Sequence, residues 1–129
     1  MKNLITFALA VIVFTACQES LEDKATREAE MYTKKNCPSQ MTENIRLDSM
    51  TFERVSHTLH YYYTLTGVAD SAGVIAHEEV KSALLHELRN TTGLKAYKDA
   101  GYQFSYTYRS EKEPSTVLYN VVLGPKDYE

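Results

Sequence analysis

Imidazoles and thiols are the side chains here most able to do chemistry. Histidines stand at His57, His60, His77 and His86, and cysteines at Cys17 and Cys37. A metal ion needs its ligands to converge on one point. His57 and His60 are three apart at the start of a strand-like segment, which puts them on opposite faces. His77 and His86 are nine apart, nearly opposite on a helix that turns about 100° per residue. The run His86-Glu87-Leu88-Arg89-Asn90 comes within one residue of the zinc motif His-Glu-x-x-His, but Asn90 occupies the place of the second ligand. Glu78 and Glu79 are adjacent on a helical segment, so their carboxylates do not face each other. No Gly-x-Ser-x-Gly marks a nucleophile. We expect no catalytic residue, no metal site and no cofactor.

Cys17 is a different case. Met1-Lys2-Asn3 is a basic start, Leu4 to Phe14 is almost wholly apolar, and Thr15-Ala16 supplies small residues before the cysteine. That layout predicts a secretory signal. Its apolar core falls well short of the roughly 20 residues a spanning helix needs. The polar, acidic Gln18-Glu19-Ser20-Leu21-Glu22-Asp23 that follows carries no basic stop-transfer flank. Phe14-Thr15-Ala16-Cys17 resembles a lipobox, with Phe14 where Leu is usual. The resemblance implies cleavage after residue 16 and a thioether-linked diacylglycerol on Cys17, a modification only a thiol can accept. Residues 17–129 are then one domain, anchored through its first residue. With about 0.8 kcal/mol per buried methylene, the three acyl chains of such anchors make attachment effectively permanent. Gln18 in place of the Asp of inner-membrane retention signals implies the outer membrane, on its periplasmic or cell-surface face.

The full chain of 129 residues carries a formal charge of −3, and loss of Lys2 with the signal makes the mature part more acidic. It shows no basic patch, which disfavours nucleic acid as a partner. With Cys17 lipidated, Cys37 has no partner in the chain. We expect a buried structural thiol, with a redox or intermolecular role as the alternative.

The elements that must carry any site follow from periodicity. Leu21, Ala25, Ala29 and Tyr32 recur at helical spacing over residues 18–36, and Asn36 and Pro38 end that helix. In residues 43–55, Ile45 and Leu47 hold one parity while Met50 and Phe52 hold the other, predicting a bulge near Asp48-Ser49. A polar turn at Ser56–Thr58 leads to a strand over 59–67, with Leu59, Tyr61, Tyr63 and Leu65 on one face. Asp70-Ser71-Ala72-Gly73 forms a loop in which Asp70 or Ser71 could cap the next helix. That helix spans 74–92, with the stripe Ala76, Val80, Leu84 and Leu88, Leu85 turned away from it, and Gly93 as its stop. A short helical turn through Leu94, Tyr97 and Ala100 precedes a second hairpin. In it Tyr102, Phe104, Tyr106 and Tyr108 alternate with polar residues, and Val117, Tyr119, Val121 and Leu123 return. The order is two helix-hairpin units. We expect an α+β fold: a four-stranded antiparallel sheet with both helices on one face.

Several stretches resemble small outer-membrane lipoproteins of the Bacteroidetes: Asn36-Cys37-Pro38, Ile45-Arg46-Leu47-Asp48-Ser49, Tyr61-Tyr62-Tyr63, Asp99-Ala100-Gly101-Tyr102, Tyr108-Arg109 and Gly124-Pro125-Lys126-Asp127-Tyr128. The resemblance implies a compact α+β lipoprotein domain and carries over no activity. Tandem helix-hairpin units also resemble β-lactamase-inhibitory proteins, which makes an inhibitor or immunity-type lipoprotein an alternative; a small envelope hydrolase is the catalytic one. The leading expectation is a non-enzymatic envelope domain that binds a protein or glycan partner or serves structurally. Its candidate surface is the outward sheet row of His60, Tyr62, Thr64, Ser105, Thr107 and Arg109, with Gln103 and Asn120 beside it. Tyr62 stands out there, since a solvated face gains little from a large aromatic.

Overall fold

The computed structural model describes residues 19–73 and 75–129. The expected signal segment 1–16 and Cys17 lie outside them. Helix α1, Leu21–Asn36, begins where Ser20 accepts a hydrogen bond from the Asp23 backbone N–H at 3.0 Å. Glu22 and Asp23 in its first turn and Lys34 and Lys35 in its last oppose the helix dipole favourably. Its predicted stripe is only partly buried: Ala25 and Ala29 are sealed, whereas Tyr32 is 38% exposed.

Strands β1 (Ser39–Thr42), β2 (Ile45–Glu53) and β3 (Thr58–Leu65) follow, then helix α2 (His77–Asn90). The short helix α3 (Lys95–Asp99), strands β4 (Gln103–Ser110) and β5 (Val117–Leu123) and the terminal turn α4 (Pro125–Tyr128) complete the domain. The sheet runs β1-β2-β3-β4-β5, antiparallel except for the central β3–β4 pair, which is parallel. The expectation of four antiparallel strands is therefore corrected on two counts, while the α+β class stands. β1, Ser-Gln-Met-Thr, has no alternation to betray it. It is a short, largely exposed edge strand held by its pairing with Ile45–Leu47. The parallel pair follows from length: α2 spans about 21 Å at 1.5 Å per residue, close to the roughly 26 Å of an eight-residue strand. One such crossing returns the chain to the end where β3 began, so β4 must run the same way.

The β2–β3 register slips between Leu47 and Ser49, as the parity flip predicts. Beyond β1, the free edge of β2 is covered by α1. The Thr33 hydroxyl donates to the Met50 carbonyl at 3.0 Å and accepts from the Met50 N–H at 2.8 Å. α2 begins three residues later than expected, at His77, and its N-cap is Ala76 without a side-chain hydrogen bond. Asp70, expected as a possible cap, instead accepts from the Lys112 N–H at 3.0 Å and ties two loops together. Of the α2 stripe only Leu88 is sealed; Leu85, expected to face away, packs half-buried beside Val80 and Leu84. Tyr97, Phe104, Leu88 and Leu123 are the largest fully buried side chains. Tyr128 closes the C-terminus by donating its hydroxyl to the Tyr102 carbonyl at 2.9 Å.

Candidate binding site

The outward row predicted from sequence is assembled as one patch. Across the parallel pair, His60 lies opposite Ser105, Tyr62 opposite Thr107 and Thr64 opposite Arg109. Thr64, Ser105 and Thr107 are nevertheless buried, because short side chains on central strands sit below larger neighbours. Much of the patch's hydrogen bonding is internal. Asp48 accepts from the Thr64 hydroxyl and from Arg46, the Asn120 amide donates to Thr107 at 2.8 Å, and Arg109 reaches the Pro114 carbonyl. His60 contacts Glu53 at 3.3 Å and stacks on Tyr62, ring centroids 5.8 Å apart.

The other histidines do not gather. His57, in the left-handed region at φ 50°, stacks on Tyr102 at 4.8 Å. The His77 ring lies against Tyr119, and the Asn90 amide donates to the His86 carbonyl. Among the described residues no three His, Cys, Asp or Glu side chains are grouped to hold a metal, and no helix is long and apolar enough to cross a membrane. Cys37 is half-buried rather than sealed, and burial, reinforced by Asp48, pushes its thiol pKa up. That favours the unreactive protonated form.

The concavity is on the opposite face. α1 packs chiefly over β2, while α2 packs toward β5 and α4. The two helices thus stand over opposite flanks of the sheet and leave the centre open. Alanines at 25 and 29 on α1 are too short to fill the gap. The result is a groove of about 410 Å³, in the usual range for ligand sites. Tyr61, Tyr63 and Tyr106 form its floor with Leu47, Met50 and Leu59; Leu84 and Leu88 face Ala25 and Ala29 across it. Exposed Met41 and Tyr32 extend the apolar lining outward.

The charged side chains lining it are both carboxylates, one of them paired with Lys24 at 3.8 Å. Glu28 accepts from the Tyr97 hydroxyl at 2.8 Å, and Glu87 stands exposed on α2; no Lys, Arg or His lines the groove. Burial, reinforced by neighbouring tyrosines and Glu87, raises the pKa of Tyr63 and Tyr106 far above the ordinary phenol value. Burial does the same to Tyr61, helped by Tyr32 and Glu87. All three phenols therefore remain neutral hydrogen-bonding groups. Sequence reasoning placed these tyrosines correctly in the inner rows but took that face as filled. The two alanines in the α1 stripe were the available signal.

A family model matches residues 20–119, a span that holds every residue lining the groove. The chain belongs to the family described as Domain of unknown function DUF8479. No curated protein matches the sequence. The DUF8479 fold is shared by a crystal structure described as a secreted protein from Pseudomonas aeruginosa, with a TM-score of 0.67 at 16% identity over 87% of this chain and 100% of that one. It is also shared by the type 2 secretion system pilotin EpsS of Vibrio vulnificus (TM-score 0.67, 11% identity, 84% of this chain and 92% of that one). The type II secretion pilotin AspS of Vibrio cholerae is similar too (TM-score 0.62, 12% identity, 83% and 91%). At such identities the likeness concerns the fold of the DUF8479 domain.

Proposed function

We propose that this chain is a lipid-anchored envelope protein that binds a partner without transforming it, and that the groove between α1 and α2 is the binding site. The anchor is Cys17, and the outer membrane is its location. The observation that carries the reading is the groove: an apolar trough floored by neutral tyrosines, with the carboxylates of Glu28, paired with Lys24, and of Glu87 at its rim. Such a lining suits an amphipathic protein segment with an apolar stripe and a basic flank. Two of the proteins sharing the fold are named as pilotins of secretion systems, which supports a helper role toward a larger envelope component. A second reading rests on the His60–Tyr62 ring stack on the uncovered face, where tyrosine is a frequent interface anchor.

One capture experiment separates the two readings. Intact lipoprotein is used to capture partners from envelope membranes, and their yield is compared for wild type, Leu84→Arg and Tyr62→Ala/Arg109→Ala. Leu84 is half-buried at the groove wall, so a long cation there obstructs the trough. Loss of capture in Leu84→Arg alone, with its melting temperature retained, supports the groove. Full capture by Leu84→Arg refutes it, and loss confined to the double variant moves the site to the outer face.

A further inference from the structure

We infer that the groove selects its partner segment by a basic side chain, a lysine or arginine received by Glu87 together with the hydroxyls of Tyr63 and Tyr106. This rests on the groove being the binding site.

Tyr106 is only 6% exposed, yet its hydroxyl has no hydrogen-bond partner among the described residues. No sealed side-chain polar atom lacks a partner there, so this hydroxyl opens onto accessible space, and Tyr106 lines the groove. Tyr63, partly buried and two residues along β3 from Tyr61, which lies opposite Tyr106, also lines the groove with its hydroxyl unpartnered among the described residues. Water can serve both hydroxyls while the groove is empty. An occupant that expels this water must replace its hydrogen bonds, or the hydroxyls are left unpaired at full desolvation cost. Along the body of a helical segment the backbone groups are already paired and only its ends are free, so away from the ends the replacement must come from a side chain.

Charge decides which side chain. Glu87 lines the same groove as Tyr61, Tyr63 and Tyr106, and its charge adds to the burial that raises their pKa values. Its carboxylate has no ion-pair partner among the described residues, whereas Glu28 is engaged by the Tyr97 hydroxyl and by the Lys24 ammonium 3.8 Å away. Phenol oxygens and a carboxylate all accept N–H donors. An ammonium or guanidinium can donate to these acceptors while also meeting the carboxylate's charge. An acidic side chain meets Glu87 with like charge, and an apolar one leaves both hydroxyls bare.

The test uses the folded domain and three labelled amphipathic peptides of leucine and glutamine. They share one apolar stripe and differ at a single position beside it: arginine, glutamine or glutamate. Binding is read by fluorescence anisotropy. The arginine peptide should bind about fivefold tighter than the glutamine peptide, the scale of a partly exposed ion pair, with the advantage shrinking in high salt. The glutamate peptide should be weakest. Glu87→Gln should collapse the arginine preference, and Tyr63→Phe/Tyr106→Phe should reduce it. Equal affinities for the arginine and glutamine peptides, with binding still lost in Leu84→Arg, overturn this inference and leave the groove reading standing. Binding that survives Leu84→Arg overturns both. Competition by phosphatidylethanolamine vesicles at the arginine-peptide site would assign the cation to a lipid amine and overturn the protein-segment assignment.

Discussion

Two leucines of similar burial should respond differently to truncation, because one borders the groove and the other does not. Leu88 is 2% exposed and Leu123 is 0% exposed, and both belong to the core cluster. Leu88 also lines the groove. Leucine-to-alanine changes in cores cost about 2–5 kcal/mol, the spread reflecting how much sealed cavity remains. At Leu123 the lost volume is enclosed, so the cost should lie near the top, about 4–5 kcal/mol. At Leu88 the lost volume merges with a space already open to water, and only the transfer cost of about 2–3 kcal/mol remains. In a domain of this size that gap should separate the melting temperatures by roughly 5–15 °C. Urea titration followed by circular dichroism measures both, and an unchanged slope shows that the two variants unfold from comparable states. If Leu88→Ala costs as much as Leu123→Ala, the space beside Leu88 is closed and the groove described above does not exist in solution.

Other outcomes follow from local chemistry. Cys17→Ser should abolish metabolic labelling with a radiolabelled fatty acid and release the protein from membranes; retained labelling and attachment would show that another residue carries the lipid. Gly67 lies at φ +55°, and a Cβ there would meet the Asn44 side-chain oxygen at 2.8 Å, so Gly67→Ala should cost about 1–2 kcal/mol in urea unfolding. The Ser110 hydroxyl beside Asp70 and the Lys112 N–H hold the Asp70 carboxyl below the ordinary aspartate range. A carboxyl lowered on folding contributes stability that is complete above its unfolded pKa and is lost as pH falls through the folded one. Asp70→Asn should therefore flatten the acid limb of the stability–pH curve while leaving its shape above pH 6 unchanged, and an unchanged acid limb would contradict the assignment.

Legibility in the sequence tracked burial. The bulge at Asp48-Ser49 was visible because Leu47 and Met50, on either side of it, both turn inward to the groove. The inner tyrosine rows were visible for the same reason. β1 was not, since Ser39–Thr42 pairs through its backbone while its side chains stay mostly in water. The parallel centre could have been deduced from the length of α2, but hairpin pattern alone favours neighbours in sequence as neighbours in the sheet. The groove was hidden because periodicity tells which residues face inward and not whether the space between two inward faces is filled. Only the small size of Ala25 and Ala29 in the α1 stripe hinted that the space between the helices is not filled. The outward row was correctly grouped, yet parity could not reveal that Thr64, Ser105 and Thr107 are overshadowed.

The parallel pairing at the sheet's centre also sets an order of events. Thr58 meets Gln103, and Leu65 meets Ser110, so each β3 residue waits for a partner about 45 positions further along the chain. Long-range pairings of this kind delay folding until the loop between them can close. Neither hairpin can complete a core alone: the β2–β3 half lacks Phe104, Tyr106 and Leu123, and the β4–β5 half lacks Leu59, Leu65 and both alanines of α1. The core is therefore completed only when both halves of the chain are present together.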